Sequence, residues 1–276
     1  MERILKEIPL DCEIVLISDT HIGSKKSHTH GIQRAVDFIK KKPTRYWIHL
    51  GDWIEAITTD DKRYESETTD EPIPDLQAKE AVKMFLPIKE QGICGLLGNH
   101  ERKLSRVANM ARNICDGLTV PYGTESARIL FYNEGKLLFK FFVTHGNKVF
   151  RSAAKDFVQR EANKKAALKL SLQYKMGDVS LMACPHAHWL AVVPPAKLLY
   201  LQDGEKGVSH RYLNQEPAPE GYIDFDRRWY CCTGSFYKLF IDGISGYNEP
   251  YDPNDLGFLV VKIEDGKILN VNEVIV

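Results

Sequence analysis

The chain has 276 residues, 43% of them hydrophobic and 27% charged, and its 37 basic and 37 acidic side chains cancel. That composition is typical of a globular protein with a large core, and zero formal charge gives no global field to attract nucleic acid or a membrane. No apolar stretch approaches the ~20 residues of a membrane span, and Met1 to Leu10 is charged throughout without a signal-peptide core, so the expected location is cytoplasmic.

The six cysteines, Cys12, Cys94, Cys115, Cys184, Cys231 and Cys232, match no zinc-finger spacing. Several lie in apolar runs, and buried reduced thiols are expected.

Glu13 to Ile17 is a β-branched run that reads as a buried strand. It runs into Ser18-Asp19-Thr20-His21-Ile22-Gly23. Asp19 and His21, at i and i+2, point the same way if the strand continues, and can grip one metal ion; alone they also fit an ordinary turn. Gly31 to Lys42 has helical apolar spacing, with His28 and His30 in the loop before it. Tyr46 to Leu50 is a second strand, ending in Gly51-Asp52-Trp53-Ile54-Glu55; Asp52 is expected at the same edge as Asp19, and His49 is expected in the core.

Residues 55–80 hold nine Asp or Glu against three Lys or Arg and read as an acidic surface loop or lid. Leu76 to Ile88 reads as a helix. Ile93 to Leu97 is a third strand, followed by Gly98-Asn99-His100-Glu101 at its C-terminal end, where open α/β sheets bind ligands. Asn99 offers a neutral oxygen and His100 a titratable imidazole. Arg102, Lys103, Arg106 and Arg112 follow on an expected helix with Leu104, Val107 and Ala108.

Ser126 to Tyr132 and Gly135 to Val143 form an expected hairpin whose second strand ends at His145. Phe150 to Tyr174 is the longest helical segment, with an expected apolar face of Phe150, Ala154, Phe157 and Val158. Between residues 145 and 176 eight Lys or Arg face only Asp156 and Glu161, a local charge of about +6. Such a strip can line a phosphate backbone or simply be solvated. Asp178 to Cys184 is a strand that ends in Pro185-His186-Ala187-His188. Further strands are expected around Lys197 to Leu201, Arg228 to Thr233, Phe258 to Ile263 and Ile268 to Val276, in one domain over residues 1–276.

Five strand ends thus carry metal-competent side chains. Their order resembles the calcineurin-like metallophosphoesterase superfamily, whose pattern is D-x-H, G-D-x-x-D/E, G-N-H-D/E, H, then G-H-x-H. Residues 13–188 carry the resemblance, and Gly234-Ser235 is similar to the family's late G-S turn. The resemblance implies a four-layer α-β-β-α sandwich, two mixed β-sheets flanked by helices; residues 148–175 read as a basic helical insertion that the metal site itself does not require. It implies two divalent ions, the first held by Asp19, His21, Asp52 and His188 and the second by Asp52, Asn99, His145 and His186. Asp52 would bridge ions about 3.5–4 Å apart. Mixed nitrogen and oxygen donors suit Mn, foremost, or Fe, Zn or Ni, rather than Ca or Mg. The implied reaction is metal-activated water attack on phosphorus with His100 as general acid. Glu55 is implied to orient His100, with Glu101 as the alternative support.

Pro185 departs from the family's usual Gly. Ala56 stands where the superfamily's protein phosphatases have Asp-Arg-Gly, which argues against a phosphoserine substrate. The S-D-T-H-I-G form is closer to the nuclease and phosphodiesterase branches. The leading expectation is phosphodiester hydrolysis in nucleic acid, DNA foremost, with Arg102, Lys164 and Lys165 as substrate contacts. One alternative is a small-nucleotide phosphodiesterase or phosphomonoesterase, which the acidic loop would suit. Another is a non-catalytic interaction scaffold, which the complete ligand set and His100 disfavour. Nothing in the sequence sets an oligomeric state.

Overall fold

The computed structural model describes residues 1–205, 207–213, 220–245 and 252–276. Its elements are, in order, β1 (Glu2–Glu7), β2 (Cys12–Ile17), α1 (Thr29–Lys40), β3 (Arg45–His49), α2 (Pro74–Phe85), β4 (Gly92–Gly95), α3 (Asn99–Arg102), α4 (Met110–Leu118), β5 (Ser126–Asn133), β6 (Lys136–Thr144), α5 (Phe157–Leu172), β7 (Leu181–Cys184), β8 (Leu190–Val193), β9 (Leu199–Gln202), β10 (Ser209–Tyr212), β11 (Trp229–Thr233), β12 (Gly257–Glu264) and β13 (Lys267–Ile275).

The alternation of side chains along a strand explains the layers. In β2, Ile14 and Leu16 face one way, into a core shared with Ile129 and Phe131 of β5, Phe141 of β6 and Leu181 of β7. Val15 and Ile17 face the other way, into a core with Ile32, Ala35, Val36 and Ile39 of α1, Phe85 of α2 and Ile114 of α4. In β6, Phe139 and Phe141 enter the first core, whereas Phe142 packs with Leu168 and Leu172 of α5. The result is helices, sheet, sheet, helix: the α/β four-layer sandwich, with α5 as the described helix of the far layer.

One sheet has five strands in the order β13-β12-β2-β3-β4, and the other six in the order β1-β5-β6-β7-β11-β8. Both are mixed. β2, β3 and β4 run parallel, as do β6, β7 and β11, while β12 is antiparallel to β2 and β5 to β6. The parallel groups bring five strand ends to one side of the molecule. A separate two-stranded ribbon pairs β9 with β10. All six cysteines are buried and unpaired, as composition suggests, and among the described residues no helix is long and apolar enough to cross a membrane.

Three expectations are corrected. The basic stretch after His100 is not one helix: α3 lasts one turn, residues 103–107 are turns, and Val107 is exposed. A separate helix, α4, starts at Met110, capped by Asn109, whose side chain accepts the Arg112 amide at 3.0 Å. α5 starts at Phe157, seven residues after Phe150, and Phe157 and Val158 are 66% and 73% exposed. Its buried face is Leu168 and Leu172 instead, because the sheet contacts only the helix's C-terminal half. The acidic stretch 55–80 does not form a free lid. Backbone amides of Asp70 and Glu71 donate to the Gly23 carbonyl and the Lys25 amide to Thr68, and α2 begins at Pro74.

Arg228, at the start of β11, is fully buried and donates to the carbonyls of Gln173, Met176, Gly177 and Ile223, tying the chain after α5 to the sheet. Gln173, Met176 and Gly177 follow the end of α5 and Ile223 lies just before β11, so one buried guanidinium satisfies carbonyls from two loop segments. The sequence signals this only as an arginine ahead of an apolar strand.

Candidate metal centre

The loops after β2, β3, β4, β6 and β7 carry Asp19 and His21, Asp52, Asn99 and His100, His145, and His186 and His188. Three groups of side chains converge closely enough to hold a metal ion: Asp19, His21 and His188; Asp52, His145 and His186; and His21, Asp52 and His100. Asp19, His21, Asp52, His186 and His188 all have left-handed backbone, with φ between 44° and 69°. That conformation costs non-glycine residues about 1–2 kcal/mol each, and such strain clusters where a site is over-determined by its surroundings. Pro185 does not open the loop. The two histidines rather than the proline take the positive φ, and the His186 amide approaches Asp19 Oδ2 at 3.4 Å.

Two of the imidazoles, His21 and His145, are aimed from behind. His21 Nδ1 bonds Glu55 Oε2 at 2.8 Å, leaving Nε2 facing Asp52 Oδ2 at 3.8 Å and Asp19 Oδ1 at 4.0 Å. His145 Nδ1 donates to the Leu50 carbonyl at 2.8 Å, leaving Nε2 facing Asn99 Oδ1 at 2.9 Å and Asp52 Oδ2 at 3.3 Å. His186 Nδ1 lies 2.7 Å from the same Asn99 oxygen, and His188 Nε2 lies 3.3 Å from Asp19 Oδ1. Ring nitrogens oriented in this way by a carboxylate or carbonyl are the usual arrangement behind a metal.

The donor set fits cations. Asp19 Oδ1 and His21 Nε2 are the buried side-chain polar atoms that find no hydrogen-bond partner among the described residues. Buried polar atoms are rarely left so. With Nδ1–H committed to Leu50, neutral His145 presents a lone pair to the oxygens of Asn99 and Asp52, and only a cation or a second ring proton resolves that. The electrostatics lean the same way. Burial opposes charge on His21, but Glu55, Asp52 and Asp19 together push it up to about 9. Burial likewise opposes charge on His145, and Asp52 and Asp19 overcome it, pushing it up to about 10. Burial would raise the Asp52 carboxyl, yet the surrounding histidines hold it well below its usual range.

His100 is held differently. Its Nδ1 bonds the Glu55 backbone carbonyl at 2.5 Å, and the Glu55 carboxylate is 4.0 Å away. Glu55 therefore grips His21 with its side chain and His100 with its backbone carbonyl. Glu101 supports the loop rather than His100: its two oxygens accept the amides of Ile54 and Gly98, both at 2.9 Å. Burial and the nearby Asp52 push its carboxyl up to about 7.

Two braces come from further along the chain. Ser235 Oγ and the Phe236 amide meet the Asp19 carbonyl at 3.4 and 3.0 Å, and Ser18 Oγ bonds Thr233 Oγ1 at 2.7 Å. Tyr237 sets its ring 4.6 Å from that of His21 and 6.1 Å from that of His188; its place just after the Gly234-Ser235 turn is the only signal of it in the sequence. His49 is a core residue, stacked on Trp53 at 3.5 Å.

The expected substrate contacts fall apart. Lys164 pairs with Glu161 at 2.8 Å and lies 4.2 Å over the Trp189 ring. Lys165 lies by Glu273, whose carboxyl burial raises and the lysine lowers. Arg102 pairs with Glu125, but it also borders a cavity of about 250 Å³ lined by Asn99, Glu125, His145, Asn147 and Lys175. Asn147 stands two residues after His145 and Lys175 belongs to the basic strip, but spacing alone places neither on this cavity.

No family model matches the chain, and no curated protein does. Among solved structures it is similar to a metallophosphoesterase from Sphaerobacter thermophilus, at 12% identity over 95% of this chain and 88% of that one, with a TM-score of 0.41. It is also similar to the nuclease MPE of Pseudomonas putida, at 12% identity over 95% and 87%, with a TM-score of 0.35. A third is the NAD nucleotidase of Haemophilus influenzae, at 11% identity over 96% of this chain, which spans about half (49%) of that protein, with a TM-score of 0.43. The chain, by its ordered motifs and its two-sheet α/β fold, resembles the calcineurin-like metallophosphoesterases.

Proposed function

We propose that residues 1–276 form one calcineurin-like metallophosphoesterase domain that hydrolyses phosphodiester bonds, with nucleic acid, DNA foremost, as substrate. The observation that carries this reading is Asp52: its Oδ2 faces both His145 and His21, beside Asp19 Oδ1, which faces His188, and His21 Nε2, which makes no hydrogen bond among the described residues. A carboxylate shared by two nitrogen- and oxygen-rich groups is the donor set of a two-metal site.

Asp19, His21, Asp52 and His188 would hold one ion, and Asp52, Asn99, His145 and His186 the other; Mn, Fe, Zn or Ni suit these donors, and Mn²⁺ is the first to test. When bound, the ions supply positive charge for the phosphate oxygens and Lewis acidity for the attacking water.

The chain's own residues do the rest. Glu55 and the Leu50 carbonyl fix the His21 and His145 rings, so the site needs no rearrangement as charge develops. His100, with Nδ1 committed to the Glu55 carbonyl, keeps Nε2 to carry a proton to the leaving oxygen. Burial lowers the proton affinity of that ring, and Asp52 and Glu55 partly restore it.

The test is hydrolysis of bis(p-nitrophenyl) phosphate beside p-nitrophenyl phosphate, with Mn²⁺ and with chelator. The reading predicts metal-dependent turnover with the diester preferred. No turnover with any divalent ion refutes it.

A further inference from the structure

A cavity lies beside Asn99 and His145, and on the metallophosphoesterase reading its walls bear on the substrate. Three facts define it. Arg102, on one wall, is neutralised by Glu125. Lys175, on the other, is exposed and has no acidic partner among the described residues. Lys148 shares with Lys175 a smaller cavity of about 60 Å³ on the other side of the loop through Gly146 and Asn147, and it too is exposed without an acidic partner among the described residues. By contrast Lys164, Lys165 and Lys169 are half-buried and face Glu161, Glu273 and Asp226.

Arg151, Lys155 and Arg160 are also exposed without an acidic partner among the described residues, but of the basic segment only Lys175 borders the cavity beside Asn99 and His145, with Lys148 in the adjoining one. An unpaired ammonium beside a cation-binding site attracts an anion and gives nothing to a neutral leaving group. The cavity holds about 250 Å³ between Lys175 and the Asn99–His145 pair.

We propose that Lys175, with Lys148 beyond it, binds a second phosphate of the substrate next to the one at the metal centre, so that the enzyme acts on a strand of at least two phosphates. The inference rests on the metallophosphoesterase reading. Phosphate contacts of this kind set register without reading sequence. Lys175 is a positioning residue; it supplies no proton.

The experiment compares a labelled short single-stranded oligodeoxynucleotide, followed by anisotropy and by cleavage, with bis(p-nitrophenyl) phosphate, which has a single phosphorus. For Lys175→Ala the oligonucleotide Kd and KM rise about tenfold and the salt slope falls by about one, while kcat and the small diester change by less than about twofold. Lys175→Arg restores most of the binding, and Lys164→Ala with Lys165→Ala leaves both substrates within about twofold. Equal losses on both substrates, no loss on the oligonucleotide, or a larger loss from Lys164 and Lys165 would overturn the inference. So would a wild-type protein that hydrolyses the small diester and ignores the oligonucleotide, the behaviour of a small-nucleotide enzyme. If wild type hydrolyses neither substrate with any divalent ion, the metallophosphoesterase reading itself falls, and this inference with it.

Discussion

Gly98 has no room for a side chain, and the atom in the way belongs to Asp52, the proposed bridging ligand. A Cβ built on Gly98 would sit 2.0 Å from Asp52 Oδ1 and 2.1 Å from the Asp52 amide, against a practical minimum near 3.0 Å. The backbone there is extended, at φ −91° and ψ 177°, so alanine would meet no torsional strain and the whole cost is steric. Asp52 has nowhere to retreat, because its Oδ1 accepts the His100 amide at 2.9 Å, and Glu101 ties the Gly98 amide to that of Ile54. Gly98→Ala must shift Asp52 by about 1 Å, and a misplacement of that size costs on the order of 10²-fold in rate, with overpacking costing about 1–3 kcal/mol of stability. The expected variant is folded, melts a few degrees lower, binds Mn²⁺ more weakly, and hydrolyses bis(p-nitrophenyl) phosphate about 100-fold more slowly. Gly204→Ala, whose Cβ would meet nothing nearer than 3.7 Å, is the control. Turnover and Mn²⁺ affinity of Gly98→Ala within about threefold of wild type would refute the reasoning.

Two further predictions concern the frame around the site. Leu168→Ala removes a fully buried side chain between α5 and the six-stranded sheet and should cost about 2–5 kcal/mol in urea unfolding, whereas Val158→Ala, on the exposed first turn, should cost less than about 0.5 kcal/mol; the reverse ranking would mean α5 packs through its N-terminal half. Burial raises the Glu13 carboxyl, but Arg45 and then Lys42 outweigh it and hold the group below its usual range. Its stabilisation is therefore present above an unfolded pKa of about 4.3 and is lost as pH falls through the lower folded value. Glu13→Gln should be less stable than wild type at pH 7, and the gap should close below pH ~4 in thermal melts; a gap that persists at pH ~3 contradicts the ion-pair explanation.

The convergence of the candidate site was legible because each of its loops follows a short apolar run, and a run that ends on Asp, His or Asn fixes both the strand and the edge. β1 was missed since Glu2–Glu7 alternates charge with apolar residues at a sheet edge, and β8 since its four residues follow directly on the His188 loop. Spacing placed Lys164 and Lys165 on a basic helix but could not show that Glu161, on the same helix, and Glu273, far along the chain, face them. Lys175 belongs to the same basic strip, but only coordinates place it on the wall of the cavity beside His145. The role of Glu55 was half-legible: its position beside His100 followed from the motif, but only coordinates separate its carboxylate, which holds His21, from its carbonyl, which holds His100. The apolar face of α5 was misjudged because periodicity shows a stripe without showing which turns touch the sheet.

The central claim is that Asp52 joins two ions while His100, its neighbour in space, stays off both. Because His21, Asp52 and His100 are also close enough to share an ion, the direct test is to count bound Mn²⁺ by calorimetric titration in wild type and His100→Ala and to measure turnover in the same samples. The account predicts two ions per chain in both proteins, with diester hydrolysis reduced by about 10²–10⁴ in the variant. A variant that binds one ion fewer than wild type, or that keeps its turnover, contradicts it.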